Sequence, residues 1–586
     1  MSERLDEQAI TVATNADSHA QEEAIIEDRL PRWVKIAAIV GFLLCLLIYV
    51  LRLDAAVGMF VDDAWYVMLA KGLATGQGYS LINAPTPGIT PLYPPVFPFL
   101  LSLLYRLSPQ FPQNVWLLKS LSVASMLIAG ALAFVYFTRE RRQHSYNALG
   151  IAAAVTLSPP LVLLATSTLM SECVFVAIFL ATILVVERSV RAIGSGQTNV
   201  AKVELRYGLL MGVMGALCFL TRSVSAVVVA AIFVYLLKQR LRRAALIFAA
   251  TVALLAAPWV IYSRLHAPTP EQWQEQAGHI VEDYSKQFWQ RQAGNVASGT
   301  IEVADLPARV WNNVMQIAFR DTLRVVAAPF YEFLRSLQAA EAWRQQDGYE
   351  MPGGITATMS LIVALLALAG FILTIRERTT VAEIAVIFTL GITLVWPWEP
   401  FRFLLPLAPL LIFYVLRGIA AVHRLHQKMR QQELRPSPAV LGIAAACILA
   451  VNLYGNIVYL SRKLSGNQPS FLSAFDENEK LFIWARDHLP RNEVIATSNP
   501  GLVYLYTGNK TVAFHNPAGN WDKWKQMNVR YLIRTSTFIL PPTDADERGM
   551  SVLYRAPGVL NLRVVDFGPA ETRSPWGVVS SSSPRN

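Results

Sequence analysis

Charge is what this sequence has least of. Asp, Glu, Lys and Arg make up 16% of its 586 residues, against about 25% in an ordinary soluble domain. Apolar and aromatic residues make up 54%, and the mean hydropathy is +0.37. That balance excludes a soluble globular enzyme and a disordered chain, and leaves an integral membrane protein. Cysteine is also scarce: Cys45, Cys173, Cys218 and Cys447 stand far apart, each in or beside an apolar run. Such spacing supports neither a disulfide framework nor a zinc site. The stretch from Ser2 to Asp28 lacks the apolar centre of a signal peptide; polar and acidic, it reads as part of a cytoplasmic tail over residues 1–32 without fixed structure.

What the chain does have is long apolar runs. A spanning helix needs about 20 apolar residues, and that template finds eleven segments: 33–53, 114–137, 147–164, 168–187, 205–220, 224–237, 242–262, 356–375, 381–396, 402–417 and 438–460. Every second connection is basic. Arg139, Arg141 and Arg142 follow the second segment, and Arg188, Arg191, Lys202 and Arg206 follow the fourth. Lys238, Arg240, Arg242 and Arg243 follow the sixth, Arg376 and Arg378 the eighth, and Arg417, Arg424, Lys428, Arg430 and Arg435 the tenth. The intervening connections Ser158 to Ser167, Thr221 to Ser223 and Trp396 to Arg402 are nearly uncharged. Basic loops stay on the cytoplasmic side, so the N-terminus lies inside and the C-terminus outside. The modest excess of Lys and Arg therefore reports orientation, not a nucleic-acid partner.

The expected organisation is a polytopic α-helical membrane domain over 33–460, with outer loops at 54–113 and 263–355, and an extracytoplasmic α/β domain over 461–579. A loose end, 580–586, follows. Leu92 to Leu107 is too short to span and carries Pro94, Pro95 and Pro98, so it reads as an interfacial or re-entrant helix. Two amphipathic stretches, 272–291 and 306–337, suit a membrane interface or a cavity cap. Beyond Leu460, helical patterns at 477–488 and 520–527 alternate with strand patterns at 493–497, 511–514 and 529–533, and 553–567 is β-rich. That alternation suggests an α/β domain.

One stretch stands out in the first outer loop. Val61-Asp62-Asp63-Ala64-Trp65-Tyr66 places two adjacent carboxylates at the mouth of a helical bundle, where ionisable side chains are costly and functional by default. The bland reading is a solvated turn in which an Asp caps a helix starting near Ala64. Gly76-Gln77-Gly78 is too short for a nucleotide-binding fingerprint.

These residues carry a resemblance. Asp62-Asp63 with Ala70-Lys71-Gly72-Leu73, Gly76-Gln77-Gly78-Tyr79 and Pro91-Leu92-Tyr93-Pro94-Pro95 resembles the first outer loop of the GT-C superfamily of polytopic glycosyltransferases. The nearest branch holds protein mannosyltransferases, lipid A aminoarabinose transferases and lipopolysaccharide-core glycosyltransferases. Ser158-Pro159, Leu169-Met170-Ser171-Glu172, Leu220-Thr221-Arg222 and Arg402-Phe403-Leu404-Leu405-Pro406 follow in the order that superfamily shows. The resemblance covers about Trp33 to Leu460.

It implies a bacterial inner-membrane enzyme that moves a sugar from a polyprenyl-phosphate donor, with inversion, to a hydroxyl on a glycan, lipid or protein acceptor outside the membrane. Asp62 matches the family's catalytic acid, with Asp63 raising the pair's proton affinity or orienting acceptor or cation. Glu172 matches a further acidic position. Arg402 matches the arginine expected to meet the lipid phosphate, and Arg222 lies in the equivalent outer turn. Tyr93 shapes a substrate entrance. His266 stands where some relatives place a metal ligand, but 81–93 offers no acid to join it, so no obligatory metal is expected and a divalent cation is at most optional. A lipid-linked-saccharide transporter is the alternative; it would show paired, interrupted helices and mid-membrane charges, whereas the acids here gather at one face. An inactive scaffold of the same fold is a third reading, against which the presence of Asp62 and Glu172 argues.

Overall fold

The computed structural model describes residues 31–85, 93–195, 199–269, 272, 284–293, 295–337, 343–344, 350–430, 438–514, 524–537 and 551–567. The expected tail up to residue 30, most of the 272–291 stretch, the start of the 520–527 helix and the 580–586 end lie outside these residues.

All eleven apolar segments are helical. Among the described residues, eight helices are long and apolar enough to cross a membrane: Arg32–Arg52, Val115–Glu140, Glu172–Gly194, Val200–Thr221, Arg242–Leu265, Gly354–Glu377, Pro400–Met429 and Ala439–Leu464. The segment expected at 147–164 is a pair, Ser145–Thr156 and Pro159–Thr166, bent by 48°. The cause is local, since Pro159 and Pro160 lack the N–H groups that would continue the first helix and instead open the second. The remaining two, Ser223–Lys238 and Val381–Val395, are shorter apolar helices. The second is started by a capping box in which Thr380 and Glu383 satisfy each other's backbone N–H.

Small residues set the closest helix approach. Gly370 on Gly354–Glu377 faces the Tyr414 carbonyl, and Gly418 faces Leu366 so tightly that a Cβ at either position would collide with backbone. In lipid, where helices gain no hydrophobic drive against each other, such contacts carry association.

The first outer loop folds into two helices, Asp62–Ala74 and Val96–Leu107. In the second, Leu306–Gln316 and Thr322–Ser336 flank a π-helical turn at Ile317–Asp321. Asn313 Nδ2 donates to the carbonyls of Thr393, Leu394 and Trp396 (3.2, 2.9 and 3.0 Å). Leu306–Gln316 thereby satisfies the last carbonyls of Val381–Val395.

After Leu464 the chain enters a small α/β domain with strands β1 (Val494–Thr497), β2 (Thr511–Ala513), β3 (Val529–Arg534), β4 (Ser551–Arg555) and β5 (Arg563–Asp566). Their order is β2-β1-β3-β5-β4. The β2-β1-β3 half is parallel, and β5 and β4 complete the sheet antiparallel. One helix here was absent from the sequence reading: Pro500–Thr507, which links β1 to β2. Its marks are nonetheless present, Pro500 at the first turn and Gly508 left-handed just past the end (φ +79°).

This domain docks on the first outer loop. Thr511 N–H donates to the Asn83 carbonyl (2.9 Å), Tyr506 Oη donates to the Val57 carbonyl (3.3 Å), and Gly501 lies against the Trp65 ring.

Gly370→Val should force apart Gly354–Glu377 and Pro400–Met429, an overpacking cost of about 1–3 kcal/mol. The expected result is a lower thermal midpoint and less monodisperse protein by size-exclusion chromatography in detergent. An unchanged midpoint would show that this glycine contact is not needed.

Candidate active site

The acidic pair opens its helix directly. Val61 before it is left-handed (φ +66°), a region that β-branched residues rarely enter, so the loop at 58–61 needs an internal tie. Asp63 provides it. Fully buried, it accepts from the N–H groups of Gly58 (2.8 Å), Phe60 (3.2 Å) and Ala64 (3.2 Å). Burial pushes its carboxyl up to about 6, against the opposing effect of the Gly58 and Phe60 N–H groups.

The two acids are therefore split, because successive helical residues point about 100° apart. Asp63, expected to raise the pair's proton affinity or to orient acceptor or cation, turns its oxygens into the loop, and the neighbouring Asp62 charge adds to the upward push on its carboxyl. The solvated-turn reading is corrected, since the helix starts at Asp62 and Asp63 is not solvated.

Asp62 faces the other way, into a cluster drawn from four distant stretches. Arg402 Nη2 donates to Asp62 Oδ2 (2.9 Å) and Arg402 Nε to Glu172 Oε1. Arg222 Nη1 pairs with the same Glu172 oxygen (2.8 Å) and donates to Ser171 Oγ (3.0 Å). Tyr93 Oη donates to Asp62 Oδ1 (2.9 Å). The structure thus brings together Asp62, Glu172, Arg222, Arg402 and Tyr93, and leaves out Asp63 and His266. His266 is exposed; its ring stacks on Tyr262, with Nδ1 3.0 Å from the Tyr262 carbonyl. Among the described residues no three His, Cys, Asp or Glu side chains converge as a metal site.

Exposure separates the roles inside the cluster. The Glu172 side chain is 0% exposed and Arg222 11%, whereas Asp62 and Arg402 are 18% and 36% exposed. Glu172 anchors both arginines from below, and Asp62 and Arg402 form the accessible face. Glu172 Oε2 is buried without a hydrogen-bond partner among the described residues, which is costly for a carboxylate and leaves an acceptor for a hydroxyl or cation. Beside the arginines runs a narrow apolar cleft lined by Phe175, Phe179, Val228, Phe403 and Leu407.

Three contributors were not singled out from the sequence. Tyr66 lies one turn after Asp62, and its hydroxyl pairs with Ser171 Oγ (3.1 Å); the i, i+4 spacing is a signal that was there to use. Ser171 lies within the quoted run before Glu172. Tyr284, within electrostatic reach of Asp62, Arg222 and Arg402, comes from the long second outer loop, whose pattern gives no hint of it. Burial raises the hydroxyls of Tyr66, Tyr93 and Tyr284 above the ordinary phenol value, so each remains a neutral donor.

Asp63 supplies a pH test. Its folded value of about 6 exceeds the ordinary 3.8, so its contribution to stability is full below that lower value and is lost as pH rises through 6. The thermal midpoint should fall across this window in the wild type, and Asp63→Asn should remove that part of the slope. Parallel curves for both proteins would refute the assignment.

No protein-family model and no curated protein matches this chain. Solved structures do. The oligosaccharyltransferase of Archaeoglobus fulgidus, solved with zinc and sulfate, aligns with TM-score 0.50 at 12% identity over 84% of this chain and 67% of its own. ArnT from Cupriavidus metallidurans bound to undecaprenyl phosphate aligns with TM-score 0.42 at 15% identity, over 93% and 99%. The arabinofuranosyltransferase AftD from Mycobacteria gives 0.41 at 13% identity, over 92% and 40%. At such identities the likeness concerns fold alone, and it rests on the first of the three. This chain shares the fold of that oligosaccharyltransferase, and its own residues form a polytopic helical membrane domain followed by a smaller α/β domain.

Proposed function

We propose that the chain is a membrane glycosyltransferase that moves a sugar from a polyprenyl-phosphate donor to an acceptor hydroxyl, at the extracytoplasmic face of a bacterial inner membrane. The observation that supports this most is the convergence of an accessible carboxylate, Asp62, and an accessible guanidinium, Arg402, at the mouth of an apolar cleft. A hydroxyl attacking an anomeric carbon needs a proton acceptor, and a phosphate leaving it needs fixed positive charge.

In this reading the first isoprene units of the donor lie along the cleft, and the phosphate takes the place of Asp62 on Arg402 and adds to Arg222, while both guanidiniums keep Glu172. Arginine suits that exchange, because its fork meets phosphate and carboxylate alike. Once Arg402 turns to the phosphate, Asp62 Oδ2 is free to accept the hydrogen of the acceptor hydroxyl. The acceptor oxygen then bonds to the anomeric carbon as the bond to the phosphate oxygen breaks, from the opposite face, which inverts the centre. The proton stays on Asp62 and the negative charge goes to the arginines. Glu172 holds both guanidiniums in register throughout, Tyr93 orients Asp62, and Asp63 shapes the loop beneath. The acceptor is a glycan, a lipid or a protein, and the sugar a hexose or pentose.

Asp62→Asn should lower transfer by about 10²–10⁴-fold while donor binding is kept, as measured with purified protein, radiolabelled lipid-linked sugar and envelope acceptor. Turnover near wild type would rule out Asp62 as the base. Arg402→Ala should weaken donor binding by about tenfold or more, the usual scale of one charge-assisted phosphate contact, with a smaller change in acceptor KM. Unchanged donor affinity would remove Arg402 from the phosphate site.

A further inference from the structure

Away from the Asp62 cluster, the helix Asp62–Ala74 packs on both Val96–Leu107 and Pro500–Thr507, and the latter carries the ring of Tyr504. Two ammonium groups share that ring: Lys71 Nζ lies 4.6 Å and Lys510 Nζ 5.7 Å from its centroid. Lys510 also donates to the Ile82 carbonyl (2.7 Å). Both lysines are partly buried, and among the described residues neither has a carboxylate within 4.0 Å. Burial and the neighbouring Lys510 charge both hold the Lys71 ammonium below its usual value, and burial does the same to Lys510. The ring attracts each cation modestly but supplies no counter-charge. Tyr105 lies within electrostatic reach of Tyr504, and Arg106 beside it donates to the Leu73 carbonyl (3.2 Å). Among the described residues no carboxylate pairs with either lysine.

A second observation places the lysines relative to lipid. The Val96–Leu107 helix turns Phe99, Leu103 and Leu107 outward, 53%, 42% and 76% exposed. At four-residue spacing they form one stripe, and an uncovered apolar stripe flanked by a basic residue is how a helix lies in a membrane interface. Arg106, next to Leu107, reaches the Leu73 carbonyl two residues beyond Lys71, so Lys71 lies beside this end of the stripe. It is also roughly 13 Å along the helix from Asp62.

We propose that Lys71, Lys510 and Tyr504 bind the phosphate of an anionic lipid headgroup, pinning the acidic helix and the C-terminal domain together against the bilayer surface. The phosphate supplies the negative charge that the two ammonium groups lack, and the lipid tails cover the Phe99, Leu103 and Leu107 stripe. This site stands whether or not the chain transfers a sugar.

The test uses the full-length protein in detergent, titrated with dioctanoyl phosphatidic acid and read by native mass spectrometry. The wild type should hold the lipid, and the Lys71→Gln/Lys510→Gln double variant should bind it roughly 30-fold more weakly, from the usual worth of a lysine near anionic lipid. Lys71→Arg/Lys510→Arg should retain binding. Dioctanoyl phosphatidylcholine should bind the wild type no better than phosphatidic acid binds the Gln variant. Without lipid, the Gln variant should unfold at or above the wild-type temperature, because a repulsive pair is gone. Should the double variant fail to fold, Lys510→Gln alone reads the same loss at roughly fivefold. Equal phosphatidic acid affinity in wild type and Gln variants, or equal affinity for the two lipids, would overturn the proposal. Saturation by inorganic phosphate alone at the lipid's affinity would overturn it in favour of a soluble anion.

Discussion

The structure turns on one buried carboxylate. Glu172, at the first turn of a spanning helix, has no exposed side-chain surface and holds two guanidiniums on a single oxygen. A charge taken out of water costs several kcal/mol unless it is well paired, so Arg222 and Arg402 are required partners. That requirement ties three spanning segments together at one end. Through Arg402 it extends to Asp62 on the outer loop, and through Tyr93 to the chain entering the next helix. Removing one member would leave others buried and unpaired, a larger loss than any one contact is worth.

A second constraint lies beneath the first. The left-handed Val61 and the turn at Gly58 persist because Asp63 takes three backbone N–H groups. The C-terminal domain presses on the same loop through Leu502 against Gly58 and Gly501 against Trp65. Asp62 is thereby aimed from two sides, by the ion network above and by the loop and sheet domain below. This geometry holds in one place a residue that begins a helix in a loop, where side chains are otherwise least well held.

The helices of the membrane domain were legible because each needs only a run of apolar residues of sufficient length. Most of the strands and one helix of the sheet domain were legible from their periodicity. Pro500–Thr507 was overlooked because its residues are almost all buried, so no polar face marks a helical period. The bend at Pro159 was written in the sequence but read as one continuous segment.

Of the candidate site, the sequence by itself determined which residue types stand at the ends of helices: Asp62, Glu172, Arg222 and Arg402 each fall where an apolar run stops. Tertiary structure decided which of them touch. The contact of Arg402 with Asp62 joins residues 340 positions apart, and no local pattern encodes a distance across a bundle. It also decided between neighbours: Asp62 and Asp63 are identical in composition and adjacent in sequence. The helix that starts at Asp62 sends one carboxylate to the arginines and the other to three backbone amides. A helical turn of about 100° between successive side chains is the physical reason.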